Sequence, residues 1–229
     1  MINGPTDSVL DVGCGYGWTL GRISGSIRNL VGVDVDEDAL ASASVNYPDI
    51  RFVRQTGSSL PFDNESFDVV ILSEVIEHVG DTNKLLVINE ACRVLKCGGL
   101  FIFTAPYDGL FAWTDPMDFK RRFPGVYRLY MRWTSYTPNT AMEIGHKHLP
   151  LSEIEALFGD KLIIKHIRYC GLLMPFLTWV LAIDSRIKLL PHKWHSLLNH
   201  FRAWESGLRY GPLLSFNIRL VARKTESPR

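Results

Sequence analysis

Val9-Leu10-Asp11-Val12-Gly13-Cys14-Gly15-Tyr16-Gly17 is the stretch on which the fold turns. A short apolar run followed by glycine at every second position reads as a buried strand feeding a tight turn. Glycine lets the backbone turn there and approach a ligand without a side-chain clash. A ligand at such a turn sits at the carboxyl ends of the strands, near a helix N-terminus. A second apolar run, residues 30–33, ends at Asp34. A carboxylate at that strand end can accept from both hydroxyls of a ribose. Loop and acid together fit a nucleoside cofactor. The spacing is G-x-G-x-G rather than the dinucleotide G-x-G-x-x-G, so no pyrophosphate is implied.

Outward from this stretch, strands and helices alternate. Asp36 can cap a helix over residues 37–46. Residues 50–53 read as a third strand. FDVVIL at 67–72 is a continuous apolar strand, the pattern of a strand covered on both faces. Residues 82–95 place Leu85, Leu86, Ile88, Ala91, Val94 and Leu95 at helical spacing. Lys96-Cys97-Gly98-Gly99 then reads as a basic last turn and a glycine stop, and residues 100–104 as the fifth strand. This alternation means βαβ units and a parallel sheet with helices on both faces.

The back half is less regular. Residues 106–150 are rich in aromatics: Phe111, Trp113, Phe119, Phe123, Tyr127, Tyr130, Trp133 and Tyr136. Ser152-x-x-Glu155 is a capping box that opens a short helix to Phe158. Residues 162–169 and 215–223 read as two late strands, separated by a long segment that begins GLLMPFLTWVLAI at residue 171.

With 229 residues, 46% hydrophobic and 21% charged, the chain is a folded protein rather than a disordered one. One domain over 1–229 is expected, carrying an aromatic insertion or lid at 107–150 and a basic, apolar insertion at 171–212. The four cysteines form no C-x-x-C pair, which argues against a zinc knuckle or a dense disulfide framework. A reduced, cytoplasmic setting is the simplest reading. The first eight residues lack a basic start and an apolar core, so no signal peptide is expected. The net charge of +1 hides an asymmetry: residues 1–164 hold 14 basic and 21 acidic side chains, residues 165–229 hold 11 and 3.

Four blocks in order, VLDVGCGYGW, VGVDVDEDAL, LPFDNESFDVVILSEVIEHV and NEACRVLKCGGLFIFTAP, span about residues 8–106. Together they resemble the class I S-adenosylmethionine-dependent methyltransferase family, of the methyltransferase type 11 kind. The resemblance implies an α/β, Rossmann-like, doubly wound sheet of seven strands in the order 3-2-1-4-5-7-6. The last strand is antiparallel, with helical insertions after strands five and six, and S-adenosylmethionine is the cofactor. It also implies roles. Asp11 and the backbone of Gly13, Cys14, Gly15 and Gly17 would hold the methionine end. Asp34 would take the ribose and Val35 would lie against the adenine. Ser58, Ser59 and Leu60 would flank the adenine edge, and Ser73 would lie beside the sulfonium. The sequence departs from the family at three points. No Asp stands at Thr56 or Gly57, so adenine contacts fall to backbone or hydroxyl groups. Cys97 replaces the usual Pro before Gly98-Gly99. The chain starts almost on strand one, where many relatives have a helix that closes the site.

Methyl transfer from a sulfonium is an in-line displacement, so the protein mainly positions the partners and excludes water. A base is needed only where the acceptor must lose a proton. Glu74, His78 and His146 are the expected catalytic residues, with Glu77 beside them. The E-x-x-E-H pattern also resembles ubiquinone-biosynthesis O-methyltransferases, where such residues accompany a divalent metal. The same pattern is frequent in relatives with no metal, and none is expected here. His146 and His148 lie in GHKHLP. In relatives a His at this point often faces the acceptor; the alternative is a loop pair bonded to backbone. H-x-H alone does not make a zinc site. The aromatics of 107–136 suit a ring, a sugar face or an acyl chain, or form the core of a small cap.

Residues 172–183 are too short to span a bilayer, which takes about 20 apolar residues. Arg186, Lys188, Lys193, Arg202 and Arg209 are interleaved with Trp179, Trp194 and Trp204. Basic residues beside Trp and Leu suit a helix lying in a membrane interface. The alternative is a buried cap whose basic residues face the acidic front half. The expected partners are a small-molecule or lipid-like acceptor, methylated at oxygen, and a membrane surface met through 171–212. No nucleic acid partner is expected: no RNA-binding module is visible, and Ser73-Glu74-Val75-Ile76 stands where base-methylating enzymes carry an Asn/Asp-Pro-Pro-Tyr type of signature. The expected location is the cytoplasm, or the inner membrane face. Two other readings stand beside this one. A non-catalytic S-adenosylmethionine-binding member would keep the same loop and acid. A nicotinamide-dependent oxidoreductase shares them too, but does not predict the EVIEHV block or the late antiparallel pair.

Overall fold

The computed structural model describes residues 8–110, 112, 123–134, 147–171, 184, 191–205 and 207–225. The strands are β1 (Ser8–Val12), β2 (Asn29–Asp34), β3 (Arg51–Arg54), β4 (Phe67–Ser73), β5 (Leu95–Pro106), β6 (Leu162–Cys170) and β7 (Asn217–Lys224). They form one sheet in the order β3-β2-β1-β4-β5-β7-β6. The first five strands run parallel, with Val12 opposite Val33 and Leu72, and Ser73 opposite Thr104. All of β1 and most of β4 are buried, as their unbroken apolar sequence requires.

The direction of the late strands follows from their hydrogen bonds. Thr225 donates to the Lys161 carbonyl while Phe216 donates to that of Cys170. Numbers rise on one strand as they fall on the other, so β6 and β7 are antiparallel. Tyr107 donates to Phe216, and Lys224 Nζ to the Leu95 carbonyl, so β7 also opposes β5.

Six helices are named here: α1 (Trp18–Gly21), α2 (Glu37–Asn46), α3 (Asp81–Val94), α4 (Pro124–Thr134), α5 (Leu151–Phe158) and α6 (His192–Glu205). Asp36 caps α2 as expected, its Oδ1 accepting from the amides of Asp38 and Ala39. One boundary differs from expectation. The strand begins at Leu95, directly after α3, and not at residue 100. Phe67 pairs with Leu95 but Val69 with Leu100, so Lys96-Cys97-Gly98-Gly99 is looped out of register within the strand. Gly98 takes φ 70°, a conformation suited to that irregularity rather than to a helix end.

Contacts along the chain divide it into two compact units. The first holds residues 1–105, 152–167 and 220–229; the second holds 106–151 and 168–219. In the first unit, Val9, Leu20, Leu30, Ile50, Val69 and Ile71 form a buried cluster on the sheet. Phe101, Phe103 and Phe158 form another, Phe158 standing edge-on to both partners at 5.6 and 5.4 Å. Each such side chain contributes about 1.5–3 kcal/mol by leaving water. Lys84 is buried between Asp81 at 2.8 Å and Glu153 at 3.6 Å. In the second unit, the Tyr107 and Tyr169 rings meet edge-on at 5.1 Å, and His148 packs edge-on to Phe216 at 5.0 Å.

Candidate active site

The site forms in the first unit where β1, β2 and β4 end. Gly13 and Cys14 both donate to the Val33 carbonyl, at 2.7 and 3.0 Å, which turns the chain sharply off β1. Gly13 takes φ 78°, and a Cβ on it would lie 2.2 Å from Val75 Cγ2. Glycine is therefore required there twice over, by conformation and by contact. Gly15, at φ 48°, differs: a Cβ would meet nothing within 4 Å. The loop is thus tight against the protein at Gly13 and open at Gly15.

Asp34 ties this loop to the next helix. Its Oδ2 accepts from the Gly15 amide at 2.7 Å and its Oδ1 from the Asp36 amide at 3.0 Å. An ionised carboxylate offers about four acceptor positions, so two are left for hydroxyl donors. Asp11 lies beneath, 2% exposed. Burial, and next the charge of Asp34, push its carboxyl from 3.8 up to about 7. Burial and both carboxylates also drive the Cys14 thiol far upward, so Cys14 is a neutral packing group and not a nucleophile.

At the end of β4 three polar side chains line up. Thr104 donates from Oγ1 to Glu74 Oε1 at 2.6 Å, and Ser73 Oγ lies 2.9 Å from Thr104 Oγ1. Threonine has a single hydroxyl hydrogen, and Glu74 takes it. Ser73 must therefore be the donor to Thr104, and the chain is polarised from Ser73 through Thr104 to the carboxylate. Glu74 itself takes φ 54°, a conformation that costs a non-glycine residue about 1 kcal/mol or more. A strained acidic residue at a strand end marks a place where position matters more than comfort.

The remaining expected residues fall as follows. Val35 is 59% exposed beside Asp34. Ser58 Oγ meets Thr56 Oγ1 at 3.1 Å. Leu60 is buried, and its amide donates to Glu90 Oε2 at 2.8 Å. Arg93 pairs with Glu90 and donates to the carbonyls of Leu60 and Phe62, so α3 pins the loop that carries Ser58, Ser59 and Leu60. His78 and Glu77 lie in a short turn, Ile76–His78, ahead of α3. Glu77 is 1% exposed and its Oε1 lies 3.8 Å from His78 Nε2. His146 lies outside the described residues. His148, in the second unit, bonds the Tyr107 carbonyl through Nδ1 at 2.9 Å, the backbone-bonding role of the two considered for it. Among the described residues no group of three or more His, Cys, Asp or Glu side chains is placed to hold a metal ion.

Thr104 and the Glu90–Arg93 pair are bonded neighbours of the expected site residues that the sequence reading missed. The signal for Thr104 was a lone hydroxyl near the end of an otherwise apolar fifth strand.

These features fit S-adenosylmethionine. The open loop at Gly15 admits a ligand, Asp34 has acceptor capacity for a ribose, and a buried carboxyl held near neutrality can meet a cation. Fold and loop resemble those of a class I S-adenosylmethionine-dependent methyltransferase domain. Residues 10–103 match the methyltransferase domain family. A Mycolicibacterium smegmatis protein named "Probable S-adenosylmethionine-dependent methyltransferase" is 35% identical over 98 residues, 43% of this chain and 37% of its own. The chain thus matches little more than a third of such relatives' length. The crystal structure of YcgJ from Bacillus subtilis covers 98% of this chain and 94% of its own, with TM-score 0.56 and 20% identity. That of an S-adenosylmethionine-dependent methyltransferase from Methanosarcina mazei covers 98% and 95%, with TM-score 0.60 and 18% identity. At these identities the structures attest the fold.

Proposed function

We propose that the whole chain is an S-adenosylmethionine-dependent methyltransferase acting on an oxygen of a small or amphipathic acceptor. When bound, the cofactor supplies a methyl group already activated by its sulfonium. The residues of this chain do the rest. Asp11 and the glycine loop orient the methionine end, and Asp34 fixes the ribose. Ser73, donating to Thr104, keeps its lone pairs free on the side where β4 ends. Glu74 takes a proton from an acceptor hydroxyl as that oxygen attacks.

The observation that carries this reading is the Ser73–Thr104–Glu74 chain at the carboxyl end of β4 and β5, in the same unit as the Asp11–Gly15–Asp34 cradle. The test is transfer of labelled methyl into a membrane-plus-cytosol extract, followed by partition into organic and aqueous phases. Wild type should label an acceptor, Asp34→Ala should not, and Glu74→Gln should be slowed about tenfold or more without loss of cofactor binding. Tight, saturable cofactor binding with no labelled product in either phase would favour the non-catalytic reading instead. Label recovered as N-methyl, S-methyl or C-methyl, rather than in a methyl ether or ester, would argue against oxygen as the methylated atom.

A further inference from the structure

Helix α6, in the second unit, carries an apolar stripe that is left in solvent. Trp194, Leu197, Phe201 and Trp204 are exposed by 46, 57, 37 and 60%. Their spacing of three, four and three residues confines them to a sector of about 80° on a helix. The Phe201 and Trp204 rings lie 5.4 Å apart, so the stripe is continuous at its end. Beyond it, Leu213 and Leu214 are exposed by 66 and 41%. An exposed apolar stripe of this kind marks a docking face.

Charge selects the occupant. Residues 168–219 contain seven basic side chains and two acidic ones, Asp184 and Glu205. Both acids are buried, at 5 and 1% exposure, whereas Arg209 and Arg219 are exposed. Among its described residues the segment therefore shows water apolar and cationic groups, while the exposed carboxylate of Asp108 belongs to the other segment of the unit. Helix α4, in the same unit, repeats the pattern: Val126 and Leu129 are exposed by 56 and 68%, Arg128 and Arg132 are exposed, and the helix has no acid. A second copy of the chain would bring the same cationic surface against this one, which like charges oppose. A nucleic acid would meet the charges but leave the Trp, Leu and Phe stripe without a partner. No helix among the described residues is long and apolar enough to cross a membrane.

We propose that α6 is a membrane-docking helix. It lies in the interface of an anionic bilayer, with Trp194, Leu197, Phe201 and Trp204 at the headgroup–acyl boundary and the basic residues at the lipid phosphates. This goes beyond the methyl-transfer reading and is independent of it, because the assay needs neither cofactor nor acceptor.

The experiment is flotation of the full chain with phosphatidylcholine vesicles, and with the same vesicles containing roughly a third phosphatidylserine. Wild type should float with the anionic vesicles and less with the neutral ones. Leu197→Glu/Phe201→Glu should lower the partition about tenfold or more, roughly 1.4 kcal/mol. Val45→Glu alters an apolar residue on α2 that is 82% exposed, and should change nothing. Should the double variant lose cooperative melting, Trp204→Ala takes its place with a smaller expected loss. The proposal is overturned if wild type does not float, if it floats equally with neutral vesicles, or if the α6 variants float as wild type does. It is also overturned if light scattering shows a dimer that the α6 variants dissociate, with no vesicle binding.

Discussion

Asp11 is a residue that weakens the fold it sits in. It is 2% exposed, and its carboxyl stands at about 7 rather than 3.8 because burial and the Asp34 charge oppose ionisation. A native carboxyl with a raised pKa holds a proton that the unfolded chain has released. Between about pH 4 and pH 7 the native state thus binds more protons, and stability falls as pH rises through that window. At 1.36 kcal/mol per pKa unit, the rise from 3.8 to about 7 corresponds to at most roughly 4 kcal/mol. Asp11→Asn keeps the shape and removes the charge. Without ligand, the variant should be more stable than wild type by about 1–4 kcal/mol at pH 8, and the two should converge near pH 4. Urea unfolding at both pH values measures the gap. A gap that does not depend on pH, or a variant weaker at pH 8, would refute the reasoning. Function should move the other way. S-adenosylmethionine carries an ammonium and a sulfonium, so binding selects the ionised Asp11 and releases a proton. Calorimetry near pH 6 in buffers of different ionisation heat should detect that proton in wild type and not in Asp11→Asn. The variant should bind the cofactor about tenfold or more weakly, an order set by loss of one charged interaction.

Other positions give independent checks. Asp34→Asn halves the acceptor set that already serves the Gly15 and Asp36 amides. Its cofactor affinity should fall roughly a hundredfold by calorimetry, and unchanged affinity would remove Asp34 from the site. Thr104→Val breaks the link between Ser73 and Glu74 with little change of shape. Turnover should drop about tenfold and its pH profile should shift, while cofactor binding holds; a stability loss of about 1 kcal/mol alone would make Thr104 merely structural. Gly13→Ala combines a left-handed backbone with the close approach to Val75, and should cost about 3 kcal/mol in denaturant unfolding. Adding Val75→Ala should recover the contact part and leave about 1–2 kcal/mol of conformational cost.

What was legible in the sequence was local. Asp36 caps α2 where it was expected to, because a cap needs only its own next three residues. The apolar run of β4 announces a doubly covered strand by composition alone. Lys96-Cys97-Gly98-Gly99 misled for the same reason: a glycine at positive φ serves a helix stop and a strand irregularity equally well. Only the pairing of Phe67 with Leu95 and of Val69 with Leu100 tells them apart, and pairing is tertiary. Thr104 was hidden likewise. Nothing near it in the chain names its partners; it gains meaning from standing opposite Ser73, 31 residues earlier. The Glu90–Arg93 hold on the Leu60 loop is a third case, a pair on one helix whose targets lie some 30 residues away.

The distribution of charge separates two kinds of work along the chain. The first unit holds 12 basic and 18 acidic side chains, the second 13 and 6. Every residue that grips the cofactor in the proposed reading belongs to the first unit, and the stretch that matches the methyltransferase domain family ends at residue 103. A cofactor grip held in common cannot choose among acceptors, since the same donor serves chemistries of many kinds. Choice of acceptor, and of where in the cell to meet it, has to come from residues outside that stretch. In this chain those residues are rich in aromatic and cationic side chains, and among them lies α6, the helix proposed to meet lipid.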